Sequence, residues 1–394
     1  MKKLLAATAA TALLAGFANA DEIKIGVILG FTGPLESITP AMAAGAELAM
    51  KEVTDSAKLL DGSTVTSIRA DSTCVDAAAA TAAADRLVTS DKINAIMGAD
   101  CSGVTGAILA NVAVPNGIVM ISPSATSPAL STAEDNGLFF RTAPSDARQG
   151  EVVRDILKEH GVKSIAITYT NNDYGKGLAE AIQRNWEESG GTVTLSAAHE
   201  DGKADYSAEV GALASAGGEV LVVAGYIDQG GSGIVRAALD TGAFDKFYFP
   251  DGMVGEKLNT NFGAELNGSM GDYPGTDSPG AAKFQEMASA AGFDGTSAFA
   301  PESYDAAALI MLAMEAARSP LSGDFKDKVM DVANAPGEKI YPGELAKALQ
   351  ILDEGGDVDY EGASAVELIG PGESKGNYRE IEFIDGQYET VKYH

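Results

Sequence analysis

Residues 164–197 read SIAITYTNNDYGKGLAEAIQRNWEESGGTVTLSA. A β-rich run from Ser164 to Tyr169 gives way to a polar turn, a helical stretch from Gly175 to Glu188, and a second β-rich run from Thr192 to Ala197. Strand, helix and strand at this spacing make a βαβ unit and therefore a parallel sheet covered by helices. The rhythm continues through helix Ser207–Ala216, strand Glu219–Ala224, helix Ser232–Thr241 and strand Phe247–Phe249. Just upstream lie strand Phe139–Thr142 and helix Ala147–His160, joined by the capping turn Pro144-Ser145-Asp146.

An earlier series has the same layout: strand Ile23–Leu29, helix Ala41–Val53, strand Thr64–Ala70, helix Val75–Leu87, strand Asn94–Met97, helix Gly103–Val114 and strand Ile118–Ile121. The two series share layout and not sequence, which predicts an α/β protein of two similar lobes, each a doubly wound parallel sheet. The final third breaks the alternation. It holds helices Ala281–Ala291, Ser303–Ala317 and Gly343–Leu352, then a hairpin of Arg379–Ile384 and Tyr388–Tyr393 around Asp385-Gly386. Helices without intervening strands complete an existing domain, so the chain is expected to cross between lobes more than once.

The 394 residues exceed the size at which one core stops growing, in agreement with two lobes. Lys2 and Lys3, the apolar stretch Leu4–Gly16 and the small-x-small triplet Ala18-Asn19-Ala20 have the form of a signal peptide cleaved after Ala20. No later segment has the roughly 20 apolar residues of a membrane span. With 28 Lys+Arg against 56 Asp+Glu the chain is strongly acidic, which disfavours nucleic acid as a partner. Cys74 and Cys101 are the only cysteines and, in an oxidising compartment, are expected to pair.

Catalytic patterns are scarce. Gly231-Ser232-Gly233 lacks the third glycine of a dinucleotide fingerprint, and neither GxxxxGK[ST] nor GxSxG occurs. His160, His199 and His394 lie far apart in sequence without a metal-ligand spacing, so no metal or other cofactor is expected. The ends of the strands carry more information, because doubly wound sheets bind ligands beyond their carboxyl ends. There stand Cys101-Ser102-Gly103, Ser122-Pro123-Ser124-Ala125-Thr126, Asn172-Asp173-Tyr174, Gly225-Tyr226 and Pro250-Asp251. Hydroxyls and N–H groups suit a carboxylate, and a lone carboxylate suits an ammonium; together they describe a receptor for a zwitterion. Each residue also has a structural reading: Ser102, Ser124 and Thr126 as helix caps, Tyr174 and Tyr226 as core aromatics, Asp251 as part of an Asp-Gly turn.

GVILGFTGPLES (26–37), CSGVTGAILA (101–110), ISPSATSPAL (121–130), NNDYGKGLAEAI (171–182), KADYS (203–207), PGELAKAL (342–349) and DYEGAS (359–364) are similar, in order and spacing, to segments of the branched-chain amino-acid-binding proteins of ABC transporters. The resemblance implies the type I periplasmic-binding-protein fold with a three-crossover hinge, dividing the chain into 21–143 plus 274–355 and 144–273 plus 356–394. It also implies a periplasmic, monomeric receptor with no enzymatic activity, which passes its ligand to an inner-membrane permease. A sensory binding protein and a periplasmic enzyme on the same fold are the competing readings. By motif, Ser102, Ser124, Ala125 and Thr126 match positions that hold the ligand α-carboxylate. Asp251 matches the acidic position for the α-ammonium, and Tyr174, Tyr226, Phe299 and Ile38 match the cleft walls. Cys74 and Cys101 match a disulfide of the first lobe. This chain has Asp251 where the branched-chain receptors have Glu, and Ile38 where they have Tyr. The missing methylene withdraws the carboxylate by about 1.5 Å.

Overall fold

The computed structural model describes residues 22–394, so the expected signal peptide and its cleavage after Ala20 lie outside the described residues. Sixteen strands run in chain order: β1 (Glu22–Leu29), β2 (Thr64–Asp71), β3 (Ala95–Gly98), β4 (Met120–Ser122), β5 (Phe139–Pro144), β6 (Ser164–Thr170), β7 (Thr192–His199), β8 (Val220–Ala224), β9 (Phe247–Phe249), β10 (Met270–Pro274), β11 (Glu338–Ile340), β12 (Val358–Tyr360), β13 (Leu368–Ile369), β14 (Glu373–Ser374), β15 (Tyr378–Ile384) and β16 (Gln387–Tyr393). They form two seven-stranded sheets, ordered β13-β14-β5-β4-β3-β1-β2 and β16-β15-β10-β9-β8-β6-β7, and a small β11-β12 pair. In each large sheet the five leading strands are parallel and follow the order 2-1-3-4-5, so both switch points lie between the first and third strands of their series.

Burial explains the strand sequences. Ile23, Ile25, Val27, Ile28 and Leu29 of β1 are all buried, as are all five residues of β8, because helices cover both sheet faces. The helix Asp173–Glu188 buries Leu178, Ala179, Ile182 and Trp186 on one stripe, and Asn172 caps its first turn by accepting the Gly175 N–H at 3.0 Å. In the first lobe the long helix Ala300–Ala317 is buried along nearly its whole length, packed against helix Thr39–Ser56 and other elements. Gly45 allows their close approach: a Cβ there would sit 2.4 Å from the Ala300 carbonyl oxygen.

The chain crosses between the sheets after β5, after β10 and between Ser374 and Tyr378. The last crossing corrects the expected boundary at residue 356, since β14 pairs with β5 of the first sheet and β12 with β11. Strands of two or three residues, such as β12, β13 and β14, have no periodicity to read, and so the sequence ends this first-lobe segment at 355, ahead of them. The second and third crossings lie side by side, with the Gly275 N–H bonded to the Asn377 carbonyl at 3.0 Å.

Candidate ligand-binding cleft

The two sheets point their carboxyl ends at each other across a cleft. From the first lobe, Leu35 follows β1, Asp100, Cys101 and Ser102 follow β3, Ser124 follows β4, and Phe299 precedes helix Ala300–Ala317. From the second, Tyr174 follows β6, Tyr226 follows β8, and Asp251 and Gly252 follow β9; together these ten residues line one space of about 250 Å3. The space is narrow, and hydrogen bonds between the lobes hold them closed over it.

The loop after β1 clasps the second lobe. Ser37 N–H donates to Asp228 Oδ2 at 2.8 Å, and the Asp228 N–H donates to the Pro34 carbonyl at 3.1 Å. Ile38 lies at this contact, where a side chain built on Gly255 would meet its methyl at 3.3 Å. Ile38, Ala125 and Thr126 are buried but are not among the residues lining the space.

Asp100 and Asp251 are the two carboxylates of the lining, and they differ in what remains free. Asp100 is satisfied within its own lobe: Oδ2 accepts the Gly30 N–H and Oδ1 the Ser72 hydroxyl, each at 2.9 Å. Asp251 uses only Oδ1, which accepts the Tyr174 hydroxyl and the Gly252 N–H, each at 2.6 Å. Its Oδ2 is buried with no hydrogen-bond partner among the described residues. Burial pushes the Asp251 carboxyl up to about 6, against the opposing pull of those two donors. A buried carboxylate oxygen without a partner is a strong acceptor for a cationic donor.

Asp251 is also the cleft edge of an acidic layer. Asp146, at the first crossing, is held well above the usual carboxylate range by burial and then by the Asp251 charge. Asp272 of β10 is raised by burial, although it accepts the Tyr248 hydroxyl at 2.8 Å. Glu302, on the long helix of the first lobe, is pushed up to about 8 by burial, and neither oxygen has a hydrogen-bond partner among the described residues.

The hydroxyl side is built by the first lobe. Ser102 Oγ accepts the Ser127 N–H at 3.1 Å, which leaves its own proton for an anion, while Ser124 Oγ donates to the Asp100 carbonyl at 3.0 Å. Arg141, buried on β5, donates through Nη1 to the carbonyls of Ala125 and Ser127 at 3.0 and 2.9 Å and pairs with Glu373 at 2.5 Å. It thereby fixes the serine-rich loop from behind, and trans peptide geometry turns the Thr126 N–H away from it. Opposite, Tyr174 and Tyr226 stack with ring centroids 5.1 Å apart at 18°. Phe299 closes the space with its backbone in the left-handed region, φ 62°, a conformation that costs a non-glycine residue about 1–3 kcal/mol and that its buried surroundings hold in place.

The Cys74–Cys101 disulfide ties the loop after β2 to the loop after β3, directly behind Ser102. Leu35, Asp100 and Gly252 are lining residues that the sequence reading passed over. Asp100 and Gly252 adjoin strand-end residues already singled out, so the strand-end rule reaches them, whereas nothing local marks Leu35.

Two facing parallel sheets with a closed cleft at their switch points, walled by carboxylate, serine and aromatic side chains, define a two-lobed binding protein. Residues 22–335 match the family of periplasmic binding proteins, and the chain belongs to that family. Leu/Ile/Val-binding protein homolog 1 of Brucella melitensis is 30% identical over 366 residues, covering 90% of this chain and 93% of that protein. Homolog 3 of the same organism is 36% identical over 239 residues, covering 58% and 61%. In fold, the chain is similar to the branched-chain amino acid transporter substrate binding protein LivJ of Streptococcus pneumoniae, solved with isoleucine, at a TM-score of 0.79 and 22% identity over 95% of this chain and 99% of that one. It is also similar to a solute binding protein of an ABC transporter from Rhodopseudomonas palustris, solved with p-hydroxybenzoic acid, at a TM-score of 0.75 and 18% identity over 95% and 97%.

Proposed function

We propose that this protein is an exported receptor that captures a small neutral amino acid, branched-chain or otherwise hydrophobic, between its lobes and delivers it to an ABC transporter permease in the inner membrane. The observation that carries this reading is the unpartnered, buried Oδ2 of Asp251 across the cleft from the Ser102 hydroxyl. Asp251 receives the α-ammonium and the Ser102 hydroxyl the α-carboxylate, beside Ser124; Ala125 and Thr126, outside the lining, belong to the loop behind it. Tyr174, Tyr226, Phe299 and Leu35 wall the side chain, and Ile38 seals the lobe contact. A ligand bridging both lobes stabilises the closed form, and the permease recognises that form. The lining holds serine hydroxyls but no histidine or lysine to activate them, which supports binding without catalysis. In this reading residues 1–20 are removed on export and the receptor acts as a monomer.

A thermal-shift screen against amino acids and small carboxylic acids tests the proposal. The true ligand at 100 times its dissociation constant adds about 2.7 kcal/mol of stability. Stabilisation by leucine, isoleucine or valine supports the reading, and a response confined to sugars, nucleotides or metals rejects it. The stacked tyrosine pair also suits an aromatic ring, so a receptor for aromatic carboxylic acids, serving transport or sensing, is the second reading. Stabilisation by 4-hydroxybenzoate and not by any amino acid selects it.

A further inference from the structure

Two of the three histidines, far apart in sequence, converge on one carboxylate at the far edge of the second lobe. His160 caps the carboxyl end of helix Asp146–Glu159, and His394 follows β16. His160 Nε2 lies 2.8 Å from Glu380 Oε1 and 3.4 Å from Glu382 Oε1, while His394 Nε2 lies 2.8 Å from Glu380 Oε2. Glu380 and Glu382 alternate on β15 and so face the same side. The Glu380 side chain is only 4% exposed, yet among the described residues its side-chain partners are these two imidazoles, and no lysine or arginine pairs with Glu380 or Glu382. Lys392, directly across the strand pair from Glu380, turns its Nζ to Glu159 instead, at 2.7 Å.

We propose that His160, Glu380 and Glu382 form a binding site for a divalent transition metal of the zinc class. One imidazole nitrogen and two carboxylate oxygens are a donor set that Zn2+ accepts, with an open fourth position for water. Zinc–ligand bonds of about 2.0–2.1 Å place tetrahedral ligand atoms roughly 3.3 Å apart. The 3.4 Å spacing of His160 and Glu382 already has that value, and the 2.8 Å spacing of His160 and Glu380 lies about half an ångström short of it. All three ligand atoms lie within 4.8 Å of one another. His394 is the positioning residue: its N–H donates to Glu380 Oε2 and turns Oε1 to the metal, the usual outer-shell arrangement. The carboxyl end of the 14-residue helix Asp146–Glu159 adds partial negative charge where the cation sits. A bound ion joins that helix to the C-terminal hairpin on the side of the lobe away from the ligand cleft.

Calorimetric titration of the untagged protein with Zn2+ at pH 7.5 tests this. The proposal expects one ion per chain and a melting temperature raised by zinc. His160→Ala and Glu382→Gln should each weaken binding at least tenfold and remove the thermal shift. His394→Ala should weaken it about 10- to 100-fold and alter the visible absorption spectrum of the Co2+ form, which a purely structural role does not do. No saturable binding at 100 µM zinc overturns the proposal, as does equal binding by wild type and His160→Ala. A wild-type-like far-UV circular dichroism spectrum and cooperative urea unfolding of each variant verify its fold.

Discussion

Replacing Asp251 with asparagine separates its charge from its shape. In the wild type, Oδ1 is committed to the Tyr174 hydroxyl and the Gly252 N–H, and an asparagine Oδ1 can accept both. The amide then places an N–H donor where Oδ2 stood, facing the ligand ammonium. Removing one partner of a buried ion pair costs about 3–5 kcal/mol, so binding should weaken about 100-fold or more. Stability moves the other way. Burial raises the Asp251 carboxyl from 3.8 to about 6. At pH 7.5 its ionised form therefore costs the ligand-free fold about 3 kcal/mol, which the neutral amide relieves. Asp251→Asn should accordingly be up to about 3 kcal/mol more stable than wild type in urea denaturation without ligand, while calorimetry shows the loss of affinity. Unchanged affinity would reduce Asp251 to a turn residue. Loss of both affinity and ligand-free stability would show that its buried hydrogen bonds matter more than its charge.

The same carboxyl sets a pH dependence: an ammonium ligand needs ionised Asp251, so affinity for the amino acid should fall about tenfold between pH 7 and pH 5 in calorimetry, whereas a plain carboxylic acid should show no such fall. Glu302, raised from 4.5 to about 8, binds its proton more readily folded than unfolded between those values. Its contribution to stability is therefore present at low pH and lost as pH rises through 8. Urea denaturation should find the wild type gaining about 1–2 kcal/mol from pH 8 to pH 6.5 relative to Glu302→Gln; parallel pH profiles for the two proteins would contradict this. The Cys74–Cys101 bond closes a loop with a sequence separation of 27. Its reduction should cost about 3–4 kcal/mol, and denatured protein without reductant should show no reactive thiol.

The fold was legible because its periodicities are long and repeated. The apolar run at Ile23–Leu29 became β1, and the helix read at Gly175–Glu188 differs from Asp173–Glu188 by two residues at its start. β10 escaped because Gly271 and Pro274 interrupt its five residues, although all five are buried. The strand-end rule located Ser102, Ser124, Tyr174, Tyr226 and Asp251 because parallel-sheet geometry carries all such loops to one edge. It does not say which carboxylate is spent: Asp100 and Asp251 look alike in sequence, and only their hydrogen bonds separate them. The pairing of His160 with Glu380 was invisible for a similar reason, since it joins residues 220 apart through a helix end and an edge hairpin.

The central claim is that the cleft grips both ends of an α-amino acid, the carboxylate through the first lobe and the ammonium through Asp251 of the second. Calorimetry with leucine, with 4-methylpentanoate, which lacks the amine, and with 3-methylbutylamine, which lacks the carboxylate, tests it directly. So small a ligand, efficiently buried, should bind at roughly micromolar levels. Leucine should therefore bind near that value and each half-ligand at least 100-fold more weakly. Equal binding of leucine and 4-methylpentanoate would contradict the account.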